Sequence, residues 1–285
     1  GRRWQVSLCG MRGPCLVNPA SGNLVARIRT PAGGTFDPLP VLTYNSSYSS
    51  SASDFGAGWL GGYNRHITNF SGGSADLVTG EGTTYHYTNR DPQTDYYVVP
   101  AGASSSLNRT SPLTWREVQS DGTQLFYEST DTVTANLVSI QNKAGKTWAL
   151  TYDGSNRLGT ITTPYSRLTS FVYDGSGTIT RVLDASGRIT SFSVNGSGDL
   201  VRVTSPELCI TSFAYDASHR LRVWRNPEGD RTTYAYDTDG RVKTQTSPKG
   251  QVTSFTYVAN NRTIVKDPLG KSMTLASTSK QKLLS

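Results

Sequence analysis

Four aspartates, Asp153, Asp174, Asp216 and Asp237, recur in the second half of the chain at multiples of 21 residues. Such a row could hold calcium if several oxygens converged on each ion. The same slot also holds Asn195 and Val258, lapses a ladder of ligands tolerates poorly. The residues therefore favour one Asp per turn, accepting backbone N–H groups. Asp237-Thr-Asp-Gly240 imitates the opening of a calcium loop but lacks the distal Glu. The three histidines, His66, His86 and His219, offer acid–base chemistry without a partner motif. There is no Gly-x-Ser-x-Gly elbow, and no His or Cys pair stands at zinc-ligand spacing. His86 alternates with Tyr85 and Tyr87 and reads as a strand residue. Cys9 and Cys15 could close a small loop in an oxidising compartment, while Cys209 fills a slot otherwise held by Arg167, Arg188, Asp230 or Gln251 and reads as drift. Arg222-Val-Trp-Arg225 comes nearest to a binding face, with Trp224 to stack on a partner and Arg222 and Arg225 to attract it. No catalytic, metal or cofactor constellation is expected.

The elements that carry these residues are repeats. Tyr152, Tyr173, Val194, Tyr215, Tyr236 and Tyr257 lie 21 residues apart, and the aspartates follow the tyrosines directly. Upstream stand Thr169-Ser-Phe171, Thr190-Ser-Phe192, Thr211-Ser-Phe213, Thr232-Thr-Tyr234 and Thr253-Ser-Phe255. Downstream comes an apolar slot (Leu158, Ile179, Leu200, Leu221, Val242), then Pro164, Pro206, Pro227 and Pro248, with Gly187, Gly229 and Gly250 two places past the proline slot. A fixed period of this kind marks a repeat architecture in which each unit stacks on its neighbours. Alternation of large and small residues is the half-buried strand signal, so Phe171 and Tyr173 share one face and Ser170 and Val172 the other. Asp174-Gly-Ser-Gly177 and its equivalents carry tight-turn chemistry, and the Pro-x-Gly stretches make the second turn. Each unit is thus a β-hairpin, and about six of them, over residues 131–270, join into a long antiparallel sheet. After Tyr257 the spacing to Pro268 is one residue short.

Bulk properties agree with an all-β chain. Hydrophobic content of 35% and charged content of 17% are low, no sustained 3.6-residue period appears, and no stretch is apolar enough to span a membrane. The net charge of +7 is spread through the repeats and the tail, without the dense basic cluster and exposed rings of a polynucleotide groove; nucleic acid is not the expected partner. Five Asn-x-Ser/Thr sequons, from Asn45 to Asn261, are of the number expected by accident in a chain so rich in Ser and Thr. The chain begins at Gly1 without an initiator Met and its repeats stop with no recognisable cap, which reads as a piece of something longer.

Residues 1–130 lack the period but read as strands and turns. Pro38 to Tyr44 forms a strand, Trp115 to Tyr127 a hairpin turning at Asp121-Gly122, and Gly56-Ala-Gly-Trp59 a backbone packed closely beside an aromatic ring. Together with the Tyr-Asp units, Val17-Asn-Pro-Ala-Ser-Gly-Asn-Leu24, Leu39-Pro-Val-Leu-Thr-Tyr44-Asn-Ser and Gly56-Ala-Gly-Trp59 resemble the YD-repeat (Rhs-type) family, related to bacterial polymorphic toxins, toxin-complex C components and teneurins. That resemblance implies hairpins coiled into a hollow shell, which in the bacterial members encloses a toxic segment. It also implies a protein of bacterial origin that is secreted or displayed at the cell surface. Partners would be further repeats of the same longer chain or other copies of it, with a toxin cargo or a cell-surface glycan as further candidates. The domains expected are an amino-terminal β-rich segment over 1–130, the repeats over 131–270 and a polar basic tail over 271–285. The leading reading is a structural shell or scaffold element, able to self-assemble edge to edge; the alternative is an adhesion module that presents its Trp and Arg face to carbohydrate.

Overall fold

In the computed structural model the described residues are 15–30, 34, 36–38, 40–70, 72–130, 133–259 and 261–277. Four short strands, β1 (Cys15–Val17), β2 (Leu24–Arg29), β3 (Val41–Asn45) and β4 (Trp59–Gly61), form an antiparallel sheet in chain order. Period-two burial explains the pairing: Leu24, Ala26 and Ile28 turn inward from β2, and Leu42 and Tyr44 do so from β3.

A second sheet holds the remaining strands and closes on itself. Its first part runs through β5 (His66–Thr68), β6 (Ala75–Val78), β7 (Thr84–Tyr87), β8 (Ser106–Ser111), β9 (Thr114–Val118), β10 (Gln124–Glu128) and β11 (Thr134–Gln141). β11 pairs with β10 on one side and, through Ala135 opposite Ile67, with β5 on the other. Between β7 and β8 the ring is bridged by Thr88 opposite Val98 and Tyr96 opposite Asn108. The β9–β10 hairpin turns at Asp121-Gly122 as the residues predict, with Gly122 at φ 86°. The segment before residue 130 therefore holds two units, the small sheet and most of the ring.

From β11 the chain meanders in hairpins through β12 (Thr147–Tyr152), β13 (Leu158–Thr162), β14 (Leu168–Tyr173), β15 (Ile179–Leu183), β16 (Ile189–Val194), β17 (Leu200–Thr204), β18 (Ile210–Tyr215), β19 (Leu221–Arg225), β20 (Arg231–Tyr236), β21 (Val242–Thr246), β22 (Val252–Val258), β23 (Arg262–Lys266) and β24 (Ser272–Ala276). The first residues of the expected polar tail are thus a strand: β24 pairs with all of β23. Residues 278–285 lie outside the described residues.

A bulge recurs in five successive hairpins. Thr151 faces Thr160, but the next pair is Tyr152 with Leu158, so Gly159 is skipped. Thr180, Val201, Arg222 and Lys243 are skipped in the same way. Between β22 and β23 the register runs unbroken from Ser254–Lys266 to Val258–Arg262. The missing bulge residue is why the spacing after Tyr257 falls one short. A bulge adds local twist to a strand pair, so its regular recurrence bends the hairpin sheet steadily in one sense.

The aromatic face of the hairpins is covered by the chain's own amino-terminal sheet. Phe171, Phe192, Phe213, Trp224, Tyr234 and Phe255 are buried and share one core with Leu24, Leu42, Tyr44, Phe55 and Trp59.

Candidate functional site: the seam between the amino-terminal sheet and the repeats

Each turn after a tyrosine is built by its first side chain. Asp153 Oδ1 accepts the N–H groups of Ser155 (2.9 Å) and Arg157 (3.0 Å), and Asp174, Asp216, Asp237 and Asn195 repeat the pattern. The fourth residue of the turn takes positive φ: Asn156, Gly177, Gly198, His219 and Gly240. The proline-side turns use the same device. Thr163, Asp184, Ser205, Asn226 and Ser247, each just before the proline slot, accept the N–H four residues on. Gly187, Gly229 and Gly250 take φ of 77°, 88° and 76°. The prolines and glycines predict this second turn but not its acceptor, which occupies the slot before the proline as Thr, Asp, Ser, Asn or Ser in every copy.

The tyrosines tie each unit to the one before. Tyr152 donates its hydroxyl proton to Leu137 O (2.8 Å), Tyr173 to Leu158 O (3.0 Å), Tyr215 to Leu200 O (2.7 Å), Tyr236 to Leu221 O (2.8 Å) and Tyr257 to Val242 O (2.7 Å). Burial pushes these phenols up, Tyr257 to about 12, so they remain neutral donors. A further contact went unread. Arg157, Arg220 and Arg241 each pair with the Asp four residues earlier and lie over the ring of the next unit's tyrosine, with guanidinium carbons 4.5 Å from the Tyr173 centroid, 4.9 Å from Tyr236 and 4.5 Å from Tyr257. The signal was an Arg four places after the Asp in three of the copies.

The bulges supply the seam. The N–H of Ile179 donates to Asp54 O (2.6 Å), that of Leu221 to the Tyr44 hydroxyl (2.9 Å) and that of Val242 to Gly22 O (2.9 Å). Tyr44 passes its own proton to His219 O (3.1 Å). Near Leu200 the contact is made from the other side, by Ala57 N–H to Gly198 O (2.8 Å). A β-carbon on Gly56, which sits at φ +101°, would stand 2.9 Å from Leu200 N; no larger residue fits there. Gly58 likewise lies against the Tyr44 ring, the close packing that its sequence neighbourhood predicts.

Aromatic contacts close the seam. Trp59, fully buried, donates Nε1–H to the Tyr215 hydroxyl (2.7 Å) and packs 5.1 Å from Phe213 and 6.3 Å from Trp224. Phe55 meets Phe192 edge-on at 5.2 Å. Further along, Trp148 Nε1–H donates to Phe36 O (2.8 Å), and Arg167 grips buried Asp37 with two hydrogen bonds of 2.8 Å.

These positions correct the proposed Trp and Arg binding face. Trp224 is 5% exposed and belongs to the core, whereas Arg225 and the bulge residue Arg222 are exposed. Period two puts Trp224 and Arg225 on opposite faces of β19, so the three cannot form one patch. The cysteine pairing is corrected too. Cys15 is a free thiol, pushed up to about 11 by burial, and so does not bond Cys9, which lies outside the described residues. Cys209, read as drift, is disulfide-bonded.

Cavities with polar side chains in their walls open beside the amino-terminal sheet, two of them about 370 Å³ or larger. One, about 440 Å³, lies where Val194 replaces the tyrosine and is lined by Ser53, Asp54, Ser176, Ser197 and His219. Burial pushes the Asp54 carboxyl up, against the Asn64 amide and Arg157. His219 Nδ1 lies 2.8 Å from the buried Asp199 Oδ1. The other, about 370 Å³, separates the small sheet from the ring and is lined by Arg27, Arg29, Arg65, Glu81 and Glu117. There Arg65 holds both Glu117 oxygens (2.8 and 2.7 Å), and Tyr127 donates to the same carboxylate (2.6 Å). Among the described residues no three His, Cys, Asp or Glu side chains gather as metal ligands. Most of these polar groups pair with one another across the two sheets, while among the described residues Arg27 Nε and the Tyr234 hydroxyl are buried without a hydrogen-bond partner.

Comparison with known proteins bears on this architecture. The Teneurin YD-shell family model matches residues 115–281. A comparison with curated proteins gives no match. Among solved structures, a mutant of the Photorhabdus luminescens Tc holotoxin pore is 13% identical, with 90% of this chain and 14% of that chain covered and a TM-score of 0.40. TcdB2-TccC3 without its hypervariable C-terminal region is 11% identical, with 91% and 19% covered and a TM-score of 0.39. This chain thus spans under a fifth of the length of either of them.

Proposed function

The chain belongs to the Teneurin YD-shell family and is a structural shell element; on that premise we propose that it lends its curved hairpin sheet to a larger assembly of the same kind. The observation that carries this is the unbroken meander from β11 to β24, which ends on a strand laddered only to β23 among the described residues. An open strand edge recruits another strand, so the next unit, from further repeats or from a second copy, would pair along β24. The inner face of these hairpins is already filled by the amino-terminal sheet, so an enclosed cargo would lie beyond it, in space bounded by further sheet. We assign the protein to a secreted or surface setting, and no catalytic step to the seam. Among the described residues no helix is long and apolar enough to cross a membrane.

Light scattering on the native particle, read beside the 30.9 kDa chain mass, tests the assembly. Particles of several chains that shrink when a proline replaces Thr274 in β24 are the expected result. A strict monomer at every concentration would end the self-assembly reading and leave further repeats of the same chain as the only partner for that edge.

A further inference from the structure

The outer face of the hairpins carries strand charges of one sign. The strands from β11 to β24 contain no Asp or Glu, while they carry Arg181, Arg202, Arg222, Arg225, Arg231, Lys243, Arg262 and Lys266. The described carboxylates of the repeats lie in turns, and four of the turn aspartates pair with turn arginines: Asp153 with Arg157, Asp184 with Arg188, Asp216 with Arg220 and Asp237 with Arg241. Arg181, Arg202, Arg225 and Arg231 are exposed on the strands. Arg225 stands directly opposite Arg231 in the ladder, a like-charge pair that costs stability unless an anion lies over it.

Beside them runs an aliphatic row. The first position of alternate strands holds Leu168, Ile189, Ile210 and Val252, exposed by 47%, 40%, 43% and 44%, at 21-residue spacing with Arg231 in the one remaining slot. Ile189 faces Leu183 across the ladder and Ile210 faces Thr204. The large aromatic side chains of β14 to β22 are inward-facing: Phe171, Phe192, Phe213, Trp224, Tyr234 and Phe255 are buried in the core.

We propose that this outer face docks on an anionic lipid bilayer, with the aliphatic row settling at the headgroup boundary and the strand arginines meeting lipid phosphates and carboxylates. Three features favour that occupant over other polyanions. Single-stranded nucleic acid is held by a series of exposed rings on which bases stack, and the large rings of these strands are inside, which leaves Tyr165 in the turn before β14 exposed. An acidic polysaccharide would engage the arginines yet leave the aliphatic row in water. A bilayer surface uses both, since apolar burial and attraction to anionic headgroups act together in interfacial binding, and an arginine beside an aliphatic side chain can bury its stem and keep its head at the phosphates.

The test is co-sedimentation of the full chain with phosphatidylcholine vesicles, with and without phosphatidylserine, at low and high salt. Binding to the phosphatidylserine vesicles alone, weakened by salt, is the expected result. Changing Arg181, Arg202, Arg225 and Arg231 together to Gln should lower partitioning by about a hundredfold to a thousandfold. Leu168→Ser with Ile189→Ser and Ile210→Ser should lower it by about threefold to tenfold. Arg90→Gln with Arg109→Gln, on the ring, should leave it unchanged. If the fourfold change unfolds the chain, Arg202→Gln with Arg225→Gln is read in its place, with about a thirtyfold loss expected. No sedimentation with phosphatidylserine at low salt overturns the proposal. So does wild-type binding by the arginine variants, or retention on heparin or single-stranded DNA under conditions where vesicles are not bound.

Discussion

In three units an Asp, an Arg and the tyrosine of the next unit form one stack: Asp153, Arg157 and Tyr173; Asp216, Arg220 and Tyr236; Asp237, Arg241 and Tyr257. In the two units between them the stack is broken. Thr178 and Asp199 stand in the arginine slot, and Val194 stands in one tyrosine slot. Those are the units where residues 53–57 dock, through Asp54 O to Ile179, Ala57 to Gly198, and Phe55 on Phe192. The regular units meet the distant amino-terminal segment as well, Leu221 through Tyr44 and Val242 through Gly22. What distinguishes them is the added Asp–Arg–Tyr stack on their sequence neighbours; where the stack lapses, the contact with residues 53–57 is made without it.

The difference can be broken most sharply at Trp59. Trp59→Ala should cost about 3–5 kcal/mol, read by chemical denaturation, because it empties a fully buried site between Phe213 and Trp224. A loss under about 1 kcal/mol would mean that the small sheet merely rests on the hairpins.

Next in size is a glycine comparison. Gly56→Ala pushes a β-carbon against Leu200 N and Gly198 O, whereas Gly187→Ala in a regular turn meets open space. Both positions have positive φ, so both carry the backbone cost of about 1 kcal/mol. Gly56→Ala should cost roughly 2 kcal/mol more, seen as a lower thermal midpoint; equal midpoints would remove the seam clash from the account.

The tyrosines sharpen the contrast further. Tyr236→Phe deletes one hydroxyl bond to a backbone carbonyl, worth about 1 kcal/mol. Tyr215→Phe deletes the same bond and also strands the buried Trp59 N–H, for about 2 kcal/mol or more. Identical losses would show that Trp59 finds another acceptor.

Acid titration gives the smallest effect and one with opposite signs in the two regions. Desolvation raises the Asp237 carboxyl, but the Arg241 backbone N–H and guanidinium outweigh it and hold the group below its ordinary 3.8; Asp184 is lowered in the same way by Arg188. A depressed folded value gives stability that is complete above the unfolded value and disappears as pH falls through the folded one. Thermal midpoints should therefore drop below about pH 4, and less so in Asp237→Asn, which has no carboxyl to titrate. Asp54 is raised by burial, so its charged form opposes folding above its folded value. Asp54→Asn should stabilise at neutral pH, and that gain should shrink as pH falls. A gain independent of pH would place the effect in packing instead.

Much of this was legible in the sequence because a repeat prints its contacts many times. The tyrosine slot, the turn aspartates and the inward Phe slot each recur, so the hairpins and their faces followed from period two within period 21. The one-residue deletion after Tyr257 was visible as well, but its meaning was not: only the ladder shows that the lost residue is the bulge. The acceptors Thr163, Asp184, Ser205, Asn226 and Ser247 were overlooked because Pro and Gly are louder turn signals than the hydrogen-bonding side chain ahead of them. Trp224 was misplaced because its sequence neighbours Arg222 and Arg225 suggested a surface, although strand alternation separates it from Arg225.

Short-range physics sufficed for the strands, turns and stacking period, since each depends on residues within some 20 positions of one another and is restated in every unit. Only the tertiary structure decided what covers the aromatic face. The Trp59 bond to Tyr215 spans 156 positions, and the Tyr44 bond to Leu221 spans 177. A contact that occurs once, between segments so far apart, leaves no period to read. It is selected when the bulged N–H groups and inward rings find acceptors and apolar surface in space.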